Sequence, residues 1–386
     1  METRKLYYED CHLQSFTSRV IGCEQTEKGF AVTLDATAFY PEGGGQACDT
    51  GTLGNVRVLD VQEQDETVIH LCDGPLSPGG IVEGCIDYAR RFDLMQQHTG
   101  EHIVSGIIFK RFGYHNVGFH MGADMIQIDF DGPIPAQALP EIELEANRAV
   151  WADLPAHCWY PSAEKLPTIS YRTKRALPWP VRIVQIGDVD TCACCGIHTA
   201  RTGEVGLIKI FSCVKFHQGV RLEMACGQRA LNYLSQGLEQ NRQVSQIFSA
   251  KMLETGAAAQ RVCTQLNAEK FRAAGLERQL YDTIAKGYAG QGNVLHFAAG
   301  LSPAGVRELA EKIASCCHGV AAVFSGEDGR YDVCLARPGG DVKALGAAMS
   351  EALNGRGGGK AGFFQGSLMA AKEEIEAFFC KQWKSS

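Results

Sequence analysis

The segment Arg90-Arg91-Phe92-Asp93-Leu94-Met95-Gln96-Gln97-His98-Thr99-Gly100-Glu101-His102-Ile103 decides how this chain is read. Phe92, Met95, Gln96, Thr99, Ile103, Ile107 and Ile108 recur at helical spacing and predict one long helix starting near residue 89. On such a helix His98 and His102 lie on one face about one turn apart, so both imidazoles can reach a single ion. Taken alone, the pair reads more readily as two surface histidines. What shifts the reading is a second cluster far along the chain, Cys192-Ala193-Cys194-Cys195-Gly196-Ile197-His198. Its thiolate and imidazole donors suit zinc and are too soft for magnesium or calcium. A metalloprotease is excluded by spacing, because that helix needs Glu directly after the first His, and Thr99 stands there. Glu101, three residues after His98, remains a candidate base. Four protein ligands would saturate a structural zinc, whereas a catalytic zinc keeps a place for water. Either one ligand is loose or the ion mainly organises a pocket.

Working outward, residues 1–88 alternate polar and apolar positions in short runs such as Phe30-Ala31-Val32-Thr33-Leu34 and Val56-Arg57-Val58-Leu59-Asp60-Val61, which predicts a small β-barrel. Pro41-Glu42-Gly43-Gly44-Gly45-Gln46 reads as a backbone-dominated turn. After the histidine helix, strands are expected at Met125 to Phe130 and Arg182 to Ile186, with a helix from Glu141 to Trp151 between them. Residues 89–226 thus form an α+β domain containing the zinc site. Residues 227–289 are rich in Gln, Ala, Leu, Arg and Glu and read as a helical linker or coiled-coil hairpin. As one rod they would span roughly 90 Å; a break near Thr255-Gly256 fits as well, and Leu231, Leu234, Leu238 and Ile247 do not sustain a strict heptad. Residues 290–386 alternate strands (Val294 to Phe297, Val320 to Phe324, Val333 to Ala336) with helices (Pro303 to Ser315, Val342 to Leu353), a compact α/β domain. Its Gly355-Arg356-Gly357-Gly358-Gly359-Lys360 run could be a phosphate-cradling loop or a plain flexible turn. The expected fold class is therefore α+β multidomain.

The chain has 386 residues, 45% hydrophobic and 21% charged, the balance of an ordinary globular protein of several domains. A net charge of -7 argues against indiscriminate coating of nucleic acid, which rests on Lys and Arg neutralising phosphates. Local contacts to RNA could still come from Arg90 and Arg91, from Arg172, Lys174 and Arg175, or from Arg356 to Lys360, each of which also reads as a solvated face. Sixteen cysteines without an apolar leader point to a reducing, cytoplasmic compartment. No apolar run approaches the roughly 20 residues of a membrane span, so no membrane partner is expected.

Four motifs in order resemble a known family, the stand-alone alanyl-tRNA editing proteins in their long form. They are Asp35-Ala36-Thr37-Ala38-Phe39-Tyr40-Pro41-Glu42-Gly43-Gly44-Gly45-Gln46, Arg90-Arg91 leading into His98 and His102, Cys194 with His198, and Arg201-Thr202-Gly203-Glu204-Val205-Gly206. The resemblance covers about residues 1 to 226, with weaker similarity beyond to the carboxy-terminal part of alanyl-tRNA synthetase. It implies a barrel followed by an editing domain that hydrolyses Ser-tRNA(Ala), with Gly-tRNA(Ala) a further candidate, and that edits without charging. By that resemblance His98, His102, Cys194 and His198 are zinc ligands, Thr37 reads the serine hydroxyl, and Gln46 ends the pocket-lining glycine loop. The resemblance also implies that the carboxy-terminal region contacts tRNA, forms a homodimer, or both. One departure stands out: the family's Cys-Gly-Gly-Thr-His is here Cys194-Cys195-Gly196-Ile197-His198, which leaves Cys195 or Cys192 as alternative ligands and a redox role for Cys192 with Cys195 as a lesser reading. Two other functions remain open: a tRNA-binding module whose zinc is purely structural, and a zinc hydrolase of unrelated small molecules.

Overall fold

The computed structural model describes residues 2–173, 177, 179–327 and 329–384. Its chain falls into two compact units, Met1–Gln243 and Val244–Ser386. Lys174 and Arg175, two of the residues considered as RNA contacts, lie outside the described residues.

In the first unit, the strands Ser15–Thr26, Gly29–Leu34, Thr67–Cys72, Val56–Gln64, Gly51–Leu53 and Ile81–Ile86 close into a barrel in that order. Alternation drives it: Phe16, Ser18 and Val20 point inward while Ser15, Thr17 and Arg19 face water. Val20, Val32, Leu34, Leu53, Val61 and Val68 fill the interior. Thr37 and His70 form a polar pair within it, both fully buried. The His70 Nδ1–H donates to the Val32 carbonyl at 3.1 Å, which leaves Nε2 to accept the Thr37 hydroxyl at 2.8 Å. The same hydroxyl accepts the Phe39 N–H at 3.1 Å.

Helix α1 (Tyr88–Phe112) follows the barrel directly. Asp87 caps its start by accepting from the Arg90 N–H, and Gly113 ends it at φ 74°. Every residue from Leu94 to Ile108 is buried, so the helix is a core element rather than an amphipathic one. Against it packs an antiparallel sheet of Ile208–Phe216, Gly219–Cys226, Ile126–Phe130 and Asn116–Met121, together with α2 (Leu139–Trp151). A smaller sheet of Ala156–Trp159, Ile183–Ile186 and Asp190–Ala193 brings the second cysteine cluster to the same helix.

Arg91 corrects one expectation. It is fully buried, donates to both Asp49 carboxylate oxygens and to the carbonyls of Leu13 and Ala38. Two basic residues in a row looked like a surface patch, but the second points inward and clamps barrel to helix. Arg90 stays exposed.

The helical stretch divides into α3 (Gly227–Ile247) and α4 (Thr255–Lys286), so the break falls just before Thr255-Gly256, which open the second helix. In the second unit a five-stranded sheet runs in the order Val294–Ala298, Ala321–Glu327, Arg330–Ala336, Phe363–Leu368 and Gly355–Lys360. Along Ala321–Phe324 the side chains alternate between two cores. One is shared with α5 (Pro303–Cys316) and the end of α4, the other with α6 (Lys343–Ala352) and α7 (Lys372–Lys384). The Gly355–Lys360 run is an edge strand paired with Phe363–Leu368, not a phosphate loop. Its neighbour supplies a backbone ladder, and a ladder needs no side chains.

Burial pushes the His70 pKa down to about 4, while the unfolded chain protonates near 6.5. Between those values the unfolded state binds the extra proton, so stability falls as pH drops through that window. At about 1.4 kcal/mol per pKa unit, the full loss is about 3 kcal/mol below pH 4. Urea midpoints of the wild type should therefore fall more steeply from pH 7 to pH 4.5 than those of His70→Gln; parallel curves would show that His70 is not held neutral.

Candidate metal centre

Two chain segments meet at the middle of α1. His98 and His102 come from the helix, and Cys194 and His198 from the loop after Asp190–Ala193. One ligand atom from each lies within 4.8 Å of those of the others. The imidazole centroids are 4.5 Å apart for His98 and His198, 4.6 Å for His102 and His198, and 5.3 Å for His98 and His102. His98 Nε2 is 3.4 Å from the Cys194 sulfur. Both ring nitrogens of His198 are buried without a hydrogen-bond partner, an expensive arrangement unless something else engages them.

The orientation of the two helix histidines is set from outside the cluster. His98 Nδ1 lies 2.9 Å from the Gln46 side-chain oxygen, which also accepts the Ile197 N–H at 3.3 Å. His102 Nδ1 lies 2.9 Å from Asp190, and Arg172 holds that carboxylate with two bonds of 2.7 Å. With each Nδ1 committed, each Nε2 faces the cluster. Thr99 adds a further tie by accepting the Thr199 N–H at 3.0 Å, next to His198.

Electrostatics favour the donor forms of His198 and Cys194. For His102 the lowering by burial is outweighed by Asp190, Cys194 and Glu101, which hold its pKa well above the ordinary value, so an ion bound there must displace a proton. Burial, with the charges of His98 and His102 beside it, drives the His198 pKa down to about 3. Burial alone would raise the Cys194 thiol, but the neighbouring imidazoles outweigh it and hold it well below the ordinary value. Burial would likewise raise Asp190, and its bonds to His102 and Arg172 more than compensate. A thiolate among imidazoles is a donor set for a soft or borderline divalent ion. These four residues could hold one.

The loop carrying Cys194 approaches α1 so closely that only glycine fits at 196. A Cβ there would lie 2.1 Å from His98 Cε1. Of the two departures from the resembled motif, Ile197 turns away from the cavity and Cys195 lines it. Ile197 packs among Tyr7, Tyr40 and Met95. Cys195 is exposed, and its carbonyl accepts the Tyr8 hydroxyl at 2.7 Å. Arg182 donates to the carbonyls of Cys194 and Gly196 at 3.0 and 2.8 Å while lying 4.4 Å over the Tyr8 ring. All the described cysteines are free.

Beside the cluster lies a cavity of about 640 Å³ whose lining includes Gly44, Gly45, Glu101, Asn116, Phe119 and Tyr160. Gly45, at φ 85°, passes so near Phe119 that a Cβ would sit 2.8 Å from its ring. Glu101 accepts from Ser105 at 2.6 Å and from the Asn116 amide, with its other oxygen 3.8 Å from His102 Nε2.

The comparisons with known proteins fit this geometry. A family model described as the threonyl and alanyl tRNA synthetase second additional domain matches residues 181–222, and one for class II (A) tRNA synthetases matches residues 2–90. The alanyl-tRNA editing protein Aarsd1-B of Xenopus laevis is 28% identical over 396 residues, covering 96% of each chain. This chain is a relative of the alanyl-tRNA editing proteins. The alanine–tRNA ligase of Pyrobaculum neutrophilum is 34% identical over 97% of this chain, which spans 44% of the ligase. A solved C-Ala domain from Aquifex aeolicus alanyl-tRNA synthetase matches 23% of this chain and 89% of that one at 20% identity, with a TM-score of 0.20 that is too low to bear on the fold.

Of the residues singled out in the sequence, the structure brings together His98, His102, Cys194, His198, Glu101 and Gln46. Thr37 is elsewhere: it does not belong to the cavity lining, and its hydroxyl is spent inside the barrel between His70 and Phe39. Arg172, considered as an RNA contact, instead braces Asp190 and is buried. Asp190, Asn116 and Arg182 carried no motif and were missed. A buried-charge argument could have flagged Asp190, four residues before Cys194, as an orienting group. Gln46→Ala and Asp190→Asn should each weaken binding of a divalent ion by about 10- to 100-fold, read by chelator competition. Wild-type affinity in both variants would mean that these two contacts do not orient the ligands.

Proposed function

We propose that the chain is a cytoplasmic deacylase that removes a wrongly attached amino acid from transfer RNA, hydrolysing Ser-tRNA(Ala) and, as a second substrate, Gly-tRNA(Ala). The observation that carries this reading is the convergence of His98, His102, Cys194 and His198 beside a roomy cavity. The end-to-end similarity to proteins named for alanyl-tRNA editing supports it. Zinc is the ion that the one-sulfur, three-nitrogen donor set suits best.

When bound, zinc supplies positive charge that polarises an ester carbonyl and makes water easier to deprotonate. An aminoacyl ester is already activated, so the chain's own task is to place it. Gly44 and Gly45 let backbone approach the substrate without side chains in the way. Glu101 is the one carboxylate among the described residues lining the cavity; it takes the proton of the attacking water. Gln46 and Asp190 fix the imidazoles and never touch substrate. Discrimination against alanine then requires a polar group that is satisfied only by serine, because a missing hydroxyl leaves such a group unpaired.

Exposed Val262, Leu266, Leu276 and Leu280 on α4 support self-association through the carboxy-terminal region. No described helix is long and apolar enough to cross a membrane. A second reading, a tRNA-binding module with a purely structural zinc, is favoured by the full set of four protein donors.

The deciding experiment follows deacylation of Ser-, Gly- and Ala-tRNA(Ala) side by side, with metal content determined on the same sample. Serine should be released with alanine spared, and His102→Ala should slow release by about a hundredfold or more. A folded, metal-loaded wild type that releases none of the three would leave the binding-module reading in place.

A further inference from the structure

The cavity beside the metal cluster is lined by a second group of residues that takes no part in holding an ion. Tyr160 follows the strand Ala156–Trp159, and Arg182 precedes Ile183–Ile186. The antiparallel pairing of Trp159 with Ile183 places the two next to each other, and both line the cavity. Leu177, Pro180 and Val181 add apolar surface to the same lining. Tyr160 is 51% exposed, and its ring leans on Tyr8 with centroids 6.4 Å apart at 71°. Arg182 is only 8% exposed and lies 4.4 Å over the Tyr8 ring. Its Nη1 donates to the Cys194 and Gly196 carbonyls, but among the described residues no carboxylate balances its charge.

A buried cation without a counter-charge carries a desolvation cost that an arriving anion relieves. A half-exposed aromatic ring in a cavity wall offers a stacking surface to a planar base, whatever its sequence context. The cavity, at about 640 Å³, falls within the roughly 300 to 1,000 Å³ that holds drug-sized ligands. An aminoacyl group at the metal cluster therefore leaves room for more of the same molecule. In an aminoacyl-tRNA the ester is followed by a ribose, its adenine, and a phosphodiester on the 5′ side. We propose that Tyr160 and Arg182 form a subsite for this terminal nucleotide, the adenine stacking on Tyr160 and the phosphodiester charge meeting Arg182. Tyr8 braces both residues through its ring. The inference rests on the deacylase reading and deepens it: the site grips the nucleotide itself, so a nucleotide detached from the tRNA body is also a ligand.

The test titrates adenosine, AMP and ribose 5-phosphate into the zinc-loaded full chain by ligand-observed NMR, the 5′-phosphate of AMP standing for the phosphodiester. Wild type should bind AMP about fivefold or more tighter than adenosine. Tyr160→Ala should weaken adenosine and AMP alike by about tenfold, while Tyr160→Phe stays within about twofold of wild type. Arg182→Gln should lose the advantage of AMP over adenosine while keeping adenosine affinity and metal content. Because Arg182 also holds two carbonyls of the Cys194 loop, a variant that loses metal is replaced by a salt titration of wild type. There AMP affinity should fall with added salt while adenosine affinity holds. AMP binding no tighter than adenosine, ribose 5-phosphate binding as tightly as AMP, or an undiminished adenosine affinity in Tyr160→Ala would each overturn the assignment. A wild type that deacylates Ser-tRNA(Ala) but binds neither adenosine nor AMP sinks the subsite alone. AMP binding that depends on Tyr160 and Arg182, in a chain that releases no amino acid from charged tRNA, sinks the deacylase reading and leaves the nucleotide subsite standing.

Discussion

Two hydrogen bonds, Gln46 to His98 and Asp190 to His102, are what the rest of the site depends on. Each fixes one ring nitrogen of a helix histidine and so decides where the other points. Their donors and acceptors come from different parts of the chain: Gln46 from the end of the glycine loop beside the barrel, Asp190 from the small sheet. The histidines can converge only if barrel, helix and sheet hold their relative positions to within a few tenths of an ångström. That demand explains why α1 is buried on all sides through Leu94 to Ile108, and why Arg91 is sunk between barrel and helix with Asp49 as its partner. The polar groups with the largest desolvation cost are placed where they lock elements together.

The candidate ligand set was legible because its signal is local. Two histidines four apart on a helical pattern and a Cys-rich stretch ending in His198 state their chemistry in adjacent residues. The barrel strands were legible for the same reason, since alternation over five or six residues is a local property. What escaped depends on distance in sequence. Asp190 and Arg172 matter only because the small sheet sets them against His102, and Asn116 matters only because Glu101 stands opposite it. Two readings were misdirected by composition: Arg90-Arg91 looks basic, but burial is decided residue by residue along a helix, and Gly355 to Lys360 looks like a loop, but pairing with Phe363–Leu368 makes it a strand.

The placement of Thr37 gives this motif residue a bracing role inside the barrel. Its hydroxyl joins His70, which is held neutral by burial, to the Phe39 backbone at the start of the segment leading to the glycine loop. The Val32 carbonyl fixes the His70 tautomer, and the Thr37 bonds then hold the chain at Phe39 on its way toward Gly44 and Gly45. Removing them would loosen the loop that forms part of the cavity lining, so a loss of activity on substitution would follow from either role. Only selectivity between serine and alanine separates a reader from a brace.

The altered loop Cys194-Cys195-Gly196-Ile197-His198 bears on whether the site retains its chemistry. Neither of its two unusual side chains belongs to the four-residue cluster: Cys195 is exposed and lines the cavity, and Ile197 fills an apolar pocket made by Tyr7, Tyr40 and Met95. The residue that touches a ligand is Gly196, where any Cβ would collide with His98. Backbone carbonyls of the same loop are held by Tyr8, Tyr40 and Arg182, so the path of the loop is set by groups outside it rather than by its own side chains. Ile197 supplies apolar packing where the resembled motif has a hydroxyl. The donors at 194 and 198 and the close approach at Gly196 match the resembled motif, while the substitutions alter the packing at 197 and the cavity wall at 195.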